Sequence, residues 1–159
     1  MPAREGTVMS TSRGTVIAAV HLLLIRNGQV LLARRCHTGY EDGQYSVVAG
    51  HAERGEPVTA AMAREAREEA GIDIACADLV LAHVMHRRAP APAAADSERI
   101  DFFFTARRWQ GEPRIGEPDK CDDLRWFALD ALPSNVIPYV RAALAHHRDR
   151  MVFSEHGWP

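Results

Sequence analysis

Between Gly50 and Ile72 the sequence reads GHAERGEPVTAAMAREAREEAGI, and this stretch limits what the chain can fold into more than any other. Pro57 suits a first helical turn, and Gly71 suits the position just past a helix ending at Ala70. At about 100° per residue, Glu65, Glu68 and Glu69 fall on one side of that helix. Met62, Ala63, Ala66 and Ala70 fall on the adjoining side, a small-residue face suited to packing on a sheet. Like charges three and four residues apart cost about 0.2–0.5 kcal/mol per pair. These carboxylates also occupy the last turns, where the helix dipole disfavours anions. Local stability therefore opposes the arrangement, and something outside the helix has to offset it.

A hard divalent cation reverses the sign of that repulsion. Mg²⁺ takes oxygen ligands and usually keeps waters and substrate phosphates in its shell. The competing reading is a solvated acidic face, with Arg64 and Arg67 as partial charge balance. The fixed register of Gly50, Glu56, Arg64-Glu65, Glu68-Glu69 and Gly71 weighs against it.

The pattern Gly-x5-Glu-x7-Arg-Glu-x-x-Glu-Glu-x-Gly-Ile resembles the signature of the Nudix hydrolases. Every charged and glycine position of the signature is filled. Ala66 stands where the family usually has a larger aliphatic residue, a departure that touches packing rather than chemistry. A second pattern, Glu117-Pro118-Asp119-Lys120-Cys121 ahead of Trp126 and Leu132-Pro133, resembles a MutT-like, nucleotide-cleaning branch and extends the resemblance over about residues 15–147.

The chain has 159 residues, enough for one domain with a full core. Its 47% hydrophobic and 25% charged content is that of an ordinary globular protein. A net charge of −2 gives no electrostatic case for duplex nucleic acid. Cys36, Cys76 and Cys121 form no C-x-x-C pair, which suggests reduced thiols and a cytoplasmic protein. The apolar run Val16–Ile25 follows Arg13 and mimics a signal-peptide core. Arg26-Asn27-Gly28 follows it in place of a small-residue cleavage site, and it is too short to span a bilayer, so it reads as a buried strand.

The expected organisation is a loose arm over residues 1–13 (with Met9 a possible alternative start), one domain over 14–150 and a tail over 151–159. Val16–Ile25 and Val30–Cys36 read as hairpin strands around Asn27-Gly28. Tyr45–Ala49, Asp78–Arg87, Ile100–Arg108 and Leu124–Ala128 read as further strands, and Gly39–Gln44 as a loop. Ala89–Ala95 is an Ala/Pro linker, and Asp130–Leu132 starts a short helical turn that Pro133 stops. Pro138 opens a last helix through about Arg148, with Val140, Ala143, Leu144 and His147 on one stripe. Phe153 and Trp158 in the tail have two candidate docking places, the domain itself or a second subunit. His83 reads as a packed histidine, and Phe102, Phe103 and Phe104 chiefly as core. Strands on both sides of a central helix, plus a terminal helix, suit the α/β/α sandwich with a mixed sheet that the resemblance implies.

The resemblance further implies water attack at phosphorus in a diphosphate linkage of a nucleoside triphosphate or related nucleotide, with Mg²⁺ as cofactor and Mn²⁺ as substitute. By the same resemblance Gly50 offers its carbonyl to the metal, Glu65 and Glu69 are carboxylate ligands, and Glu68 is a further ligand or orients the water. Arg64 holds these carboxylates, and Glu56 ties the loop to the helix start. The general base lies in the signature helix or on a separate loop, where Glu117 is the candidate. Arg35, Arg87 and Lys120 are candidate substrate contacts, against surface solvation or ordinary turn roles for each. The expected partner is a small nucleoside diphosphate derivative, with no membrane and a monomeric or homodimeric state. Competing readings are a non-catalytic nucleotide sensor on the same fold and an isoprenoid diphosphate isomerase using Cys36 or Cys121. ADP-ribose, nucleotide sugars, dihydroneopterin triphosphate and prenyl diphosphates stay open as substrates, because loops such as Ala89–Ser97 carry no readable code.

Overall fold

The structure, a computed structural model, describes residues 14–89 and 98–159. The expected arm and nearly all of the Ala89–Ala95 linker lie outside the described residues. Among the described residues nine strands form in chain order: β1 (Ile17–Leu22), β2 (Ile25–Arg26), β3 (Gln29–Arg35), β4 (Tyr45–Ser46), β5 (Val48–His51), β6 (Leu79–Arg88), β7 (Glu98–Ala106), β8 (Cys121–Ala128) and β9 (Phe153–His156). Helix α1 (Val58–Ala70) lies between β5 and β6, and α2 (Pro138–Arg148) between β8 and β9.

One sheet has the order β5-β1-β7-β6-β9 and is mixed: β1 runs parallel to β7 and β6 to β9, while the remaining pairs are antiparallel. In the second sheet β3 pairs with β2 and β4 and, along its other edge, with β8. Alternation along β1 sends Val20 and Leu22 to one face, where they pack with Ala61, Met62, Ala66 and Ala70 of α1. Leu23, Met85 and Phe103 pack with Tyr139, Val140, Ala143 and Leu144 of α2 on the opposite side. The result is the expected α/β/α sandwich. Ala66 is fully buried, and its short side chain lets α1 lie close to the sheet.

Two expectations about strands are corrected. Val16–Ile25 is not one strand of a hairpin, because the chain changes sheets at Leu23-Leu24. Leu23 N–H donates to Phe104 O (2.7 Å) in the first sheet, while Leu24 O accepts from Leu31 N (3.0 Å) in the second. Only Ile25–Val30 forms the hairpin, around Asn27 (φ 51°) and Gly28 (φ 72°), as a two-residue turn of this kind demands. Tyr45–Ala49 breaks in the same way at Val47, giving β4 to the second sheet and β5 to the first. A run buried on both faces has no alternation to mark where it bends.

Helix α1 ends where expected, at Gly71 in the left-handed conformation (φ 63°), with Pro57 one position before its first helical residue. Asp130–Leu132 makes no helix; Ala131 N–H closes a single turn onto Ala128 O (3.1 Å). Tyr139, not His147, completes the buried stripe of α2. The tail docks on its own domain as β9, an edge strand beside β6. His83 is 1% exposed and bonds Met151 O (2.8 Å) and Ser154 Oγ (2.7 Å), so it is a packed histidine that fastens the tail. Trp158 Nε1 donates to His86 O (3.0 Å), and its ring lies 4.5 Å from that of His86.

Candidate active site

A cavity of about 960 Å³ opens along the β5 edge of the first sheet. Its lining includes Gly50, Glu65, Glu68, Glu69, Glu117 and Lys120 at one end. The loop between β5 and α1 and the last turns of α1 build this end together. A Cβ on Gly50 would lie 2.0 Å from Glu65 Oε1, so only glycine lets that carboxylate approach the β5 backbone. Ala49 N–H donates to Glu69 Oε2 (3.0 Å), drawing the second carboxylate to the same strand.

Arg64 is the hub of the acidic helix. Its guanidinium donates to Glu56 Oε1 (2.9 Å) and Oε2 (3.0 Å), Glu65 Oε1 (2.8 Å), Glu68 Oε2 (3.3 Å) and His51 O (3.1 Å). Glu56 also accepts the backbone N–H of Glu53 (3.0 Å), which closes the loop ahead of α1. The Arg64 hydrogen bonds hold the Glu56 carboxyl down at about 2.

Glu69 behaves in the opposite sense. Burial is the main cause that lifts its carboxyl to about 8, and the charges of Glu65 and Glu117 add to it. Burial also raises Glu65, against the pull of Arg64. Glu68 is more open, with 49% of its side chain exposed. Glu117 reaches this group from another direction. Gly116 N–H donates to Glu69 O (2.9 Å) and Arg114 N–H to Ala70 O (3.0 Å), so the loop before β8 docks on the C-terminal end of α1. Glu117 then accepts Lys120 Nζ at 3.0 Å. That contact raises the Lys120 ammonium above its ordinary value, with Glu69 and Glu65 contributing.

Among the described residues no three acidic, histidine or cysteine side chains converge as a ready-made metal cluster. The group nonetheless fits a hard cation. The glycine cradle exposes backbone beside Glu65, and the Glu69 carboxyl, lifted by burial and further by neighbouring carboxylates, gains from positive charge.

Of the candidate substrate contacts, Arg35 lines the cavity but is held by Tyr40 O (2.8 Å) and Thr38 Oγ1 (3.0 Å). Arg87 also lines the cavity. It is buried and bonds Asp101 through Nε (2.5 Å) and Nη2 (3.2 Å). Strand β6 also stands three strand spacings from β5, about 14 Å across the sheet. Gly116, His21, Ser46, Asp101 and Tyr139 were not singled out from the sequence. The visible signal for two of them was a histidine in the apolar strand β1 and an aspartate beside the phenylalanine run of β7.

The NUDIX domain family model matches residues 15–150. The chain belongs to the Nudix hydrolase family. Among relatives, the NAD-capped RNA hydrolase NudC of Pseudomonas aeruginosa is 34% identical over 125 residues, covering 79% of this chain and 40% of that protein. The NudC of Chromobacterium violaceum is 31% identical over 123 residues, covering 77% and 42%. This Nudix chain thus spans about 40% of the length of the curated relatives it matches. The crystal structure of a MutT NUDIX hydrolase from Burkholderia pseudomallei superposes with a TM-score of 0.73 at 31% identity, covering 82% of this chain and 97% of that one. Among the described residues of this Nudix protein no helix is long and apolar enough to cross a membrane.

Proposed function

We propose that this Nudix protein hydrolyses a diphosphate linkage in a nucleoside triphosphate or related nucleotide, by water attack at phosphorus. The observation that carries the reading is that Glu65, Glu69 and Glu117 line one cavity of about 960 Å³ together with Gly50, whose missing side chain makes room for the Glu65 carboxylate. That volume suits a ligand of nucleotide size. Family members generally use divalent cations; Mg²⁺ is the one inferred, with Mn²⁺ as substitute. Glu65, Glu69 and the Gly50 carbonyl would hold it, with Glu68 as a further ligand or water orienter. When bound, the cation supplies charge neutralisation at the phosphate oxygens.

The chain's own groups do the rest. Arg64 fixes Glu65 and Glu68 in place and, tied down by Glu56, is spent on positioning. Glu117 takes the proton of the attacking water as general base, with Lys120 beside it as a cation for the phosphate edge. The relatives' name puts the pyrophosphate of a nicotinamide dinucleotide among the linkages to test.

The test is hydrolysis of a panel with and without Mg²⁺: ordinary and oxidised nucleoside triphosphates, ADP-ribose, a nicotinamide dinucleotide, a nucleotide sugar and a prenyl diphosphate. Metal-dependent release of phosphate, pyrophosphate or nucleoside monophosphate from a nucleotide is the expected result. Tight binding of one member with no turnover of any would replace the reading with a sensor module.

A further inference from the structure

The two sides of the first sheet are covered unequally. Helix α2 packs over one side, whereas on the other α1 packs over β5 and β1 and leaves β7, β6 and β9 beside it. Register carries rows of side chains across this second side. Val20 on β1 stands opposite Phe102, Phe102 opposite Val84, and Val84 opposite Phe153. Leu22, Phe104 and Leu81 make the next row. Exposure climbs along both rows away from α1: Val20 is fully buried and Phe153 is 53% exposed, while Leu22 is 1% and Leu81 52% exposed. Ser154 turns the other way, to His83, so alternation along β9 keeps Phe153 on this open side. Trp158 extends the strip, with its ring beside that of His86.

Of nine large apolar side chains exposed among the described residues, five (Leu81, Met151, Val152, Phe153 and Trp158) lie on β6 or on the tail that pairs with it. Single exposed apolar residues are ordinary, but a contiguous patch marks a contact surface.

The shape of the face says what fits it. A helix with its side chains is about 10–12 Å across, and packed sheets lie about 10 Å apart. The shelf beside α1 is therefore one layer deep, the depth that a second sheet fills. Three strands make it roughly 14 Å wide, and the nine residues of β7 make it about 30 Å long. That size falls at the low end of specific interfaces and suits micromolar affinity. A two-fold axis along the strands lays β7, β6 and β9 of one copy on those of the other. Each α1 then falls beyond its partner's β9 and covers that free strand edge.

We propose that the face carrying Phe102, Val84, Phe153 and Leu81 is the contact between two copies of this chain, packed sheet on sheet about that axis. The cavity opens along β5, at the far edge of the sheet from β9, so the contact leaves it open. The contact is independent of the catalytic reading above.

The test is sedimentation of the full chain from about 1 to 300 µM, beside Leu81→Glu. The wild type should pass from monomer to dimer across this range. A carboxylate at Leu81 enters the apolar layer twice in each dimer, so the variant should raise the dissociation constant by about tenfold or more. A wild type that stays monomeric at about 300 µM overturns the proposal and leaves the face to a different partner. A dimer that Leu81→Glu leaves intact also overturns it, because the copies then meet elsewhere. Should Leu81→Glu fail to fold, backbone resonances of the wild type decide. On dilution those of Leu81, Val84, Phe102 and Phe153 should shift while those of Gly50 and Glu69 stay. Shifts that spare the first four overturn the proposal.

Discussion

Gly116 and Glu68 approach so closely that a Cβ on Gly116 would lie 1.9 Å from the Glu68 carbonyl oxygen. The loop that carries Glu117 is therefore fastened to the backbone of α1, and the acidic helix and the Glu-Pro-x-Lys-Cys segment act as one unit. Gly116→Ala should push that loop off the helix, because backbone on both sides has no flexible end to give. The expected cost is about 1–3 kcal/mol of stability, together with a large fall in turnover. Thermal melts and kcat on the same preparation check it. Wild-type kcat would show that Glu117 need not sit against α1.

Gly50→Ala makes a contrasting case. Its Cβ would meet the Glu65 carboxylate, the far end of a flexible side chain. The fold should survive with a stability change under about 1 kcal/mol, while Glu65 swings away and Mg²⁺ affinity and turnover both fall. A Mg²⁺ titration of activity reads this directly, and unchanged metal dependence would remove Gly50 from the site.

Glu69 has a folded value of about 8 against an ordinary 4.5. A carboxyl shifted upward contributes stability that is full below 4.5 and lost as pH rises through about 8. Metal-free protein should therefore lose stability across that window, on the order of a few kcal/mol. Mg²⁺ should restore it at the alkaline end, since a cation favours the ionised ligand. Glu69→Gln should flatten the profile and lower turnover by several orders of magnitude. Denaturation curves from pH 5 to 9 with and without Mg²⁺ test this, and a variant that keeps the wild-type slope would refute it.

Asp101 has the opposite sign. Its folded value of about 2 lies below the ordinary 3.8, so its stability is present above 3.8 and lost as pH falls through about 2. Arg87→Met should leave the buried carboxylate short of one of the two groups that hold it ionised, at a cost of about 3–5 kcal/mol near neutral pH. Urea unfolding measures this. A change below about 1 kcal/mol would mean that His21 alone suffices.

The tail is expected to be structural. Removing residues 151–159 strips His83 of Met151 O and Ser154 Oγ and uncovers the β6 edge. A buried ring losing both partners costs about 1–3 kcal/mol, and a bare strand edge invites self-association. A lowered melting temperature with larger species on size exclusion is the expected outcome, and an unchanged melt would show the tail to be dispensable.

Much of this was legible in the chain itself. Pro57, Gly71 and the apolar stripe between them specify α1 through local backbone preference and helical period, and the register of Glu56, Arg64, Glu65, Glu68 and Glu69 follows from it. Asn27-Gly28 specifies its turn because both residues must adopt positive φ. The sheet changes at Leu23-Leu24 and Val47 were not legible, since residues buried on both faces carry no period that marks a bend.

What the sequence by itself determined was therefore the acidic helix, its capping and the family it belongs to, all written in residues close along the chain. Only the tertiary structure decided that Gly116 brings Glu117 to that helix, and that Arg87 and His21 both belong to Asp101. The physical reason is range. Helical period and turn chemistry act over a few residues, whereas these contacts join positions far apart in the chain, whose meeting is fixed by strand order and register.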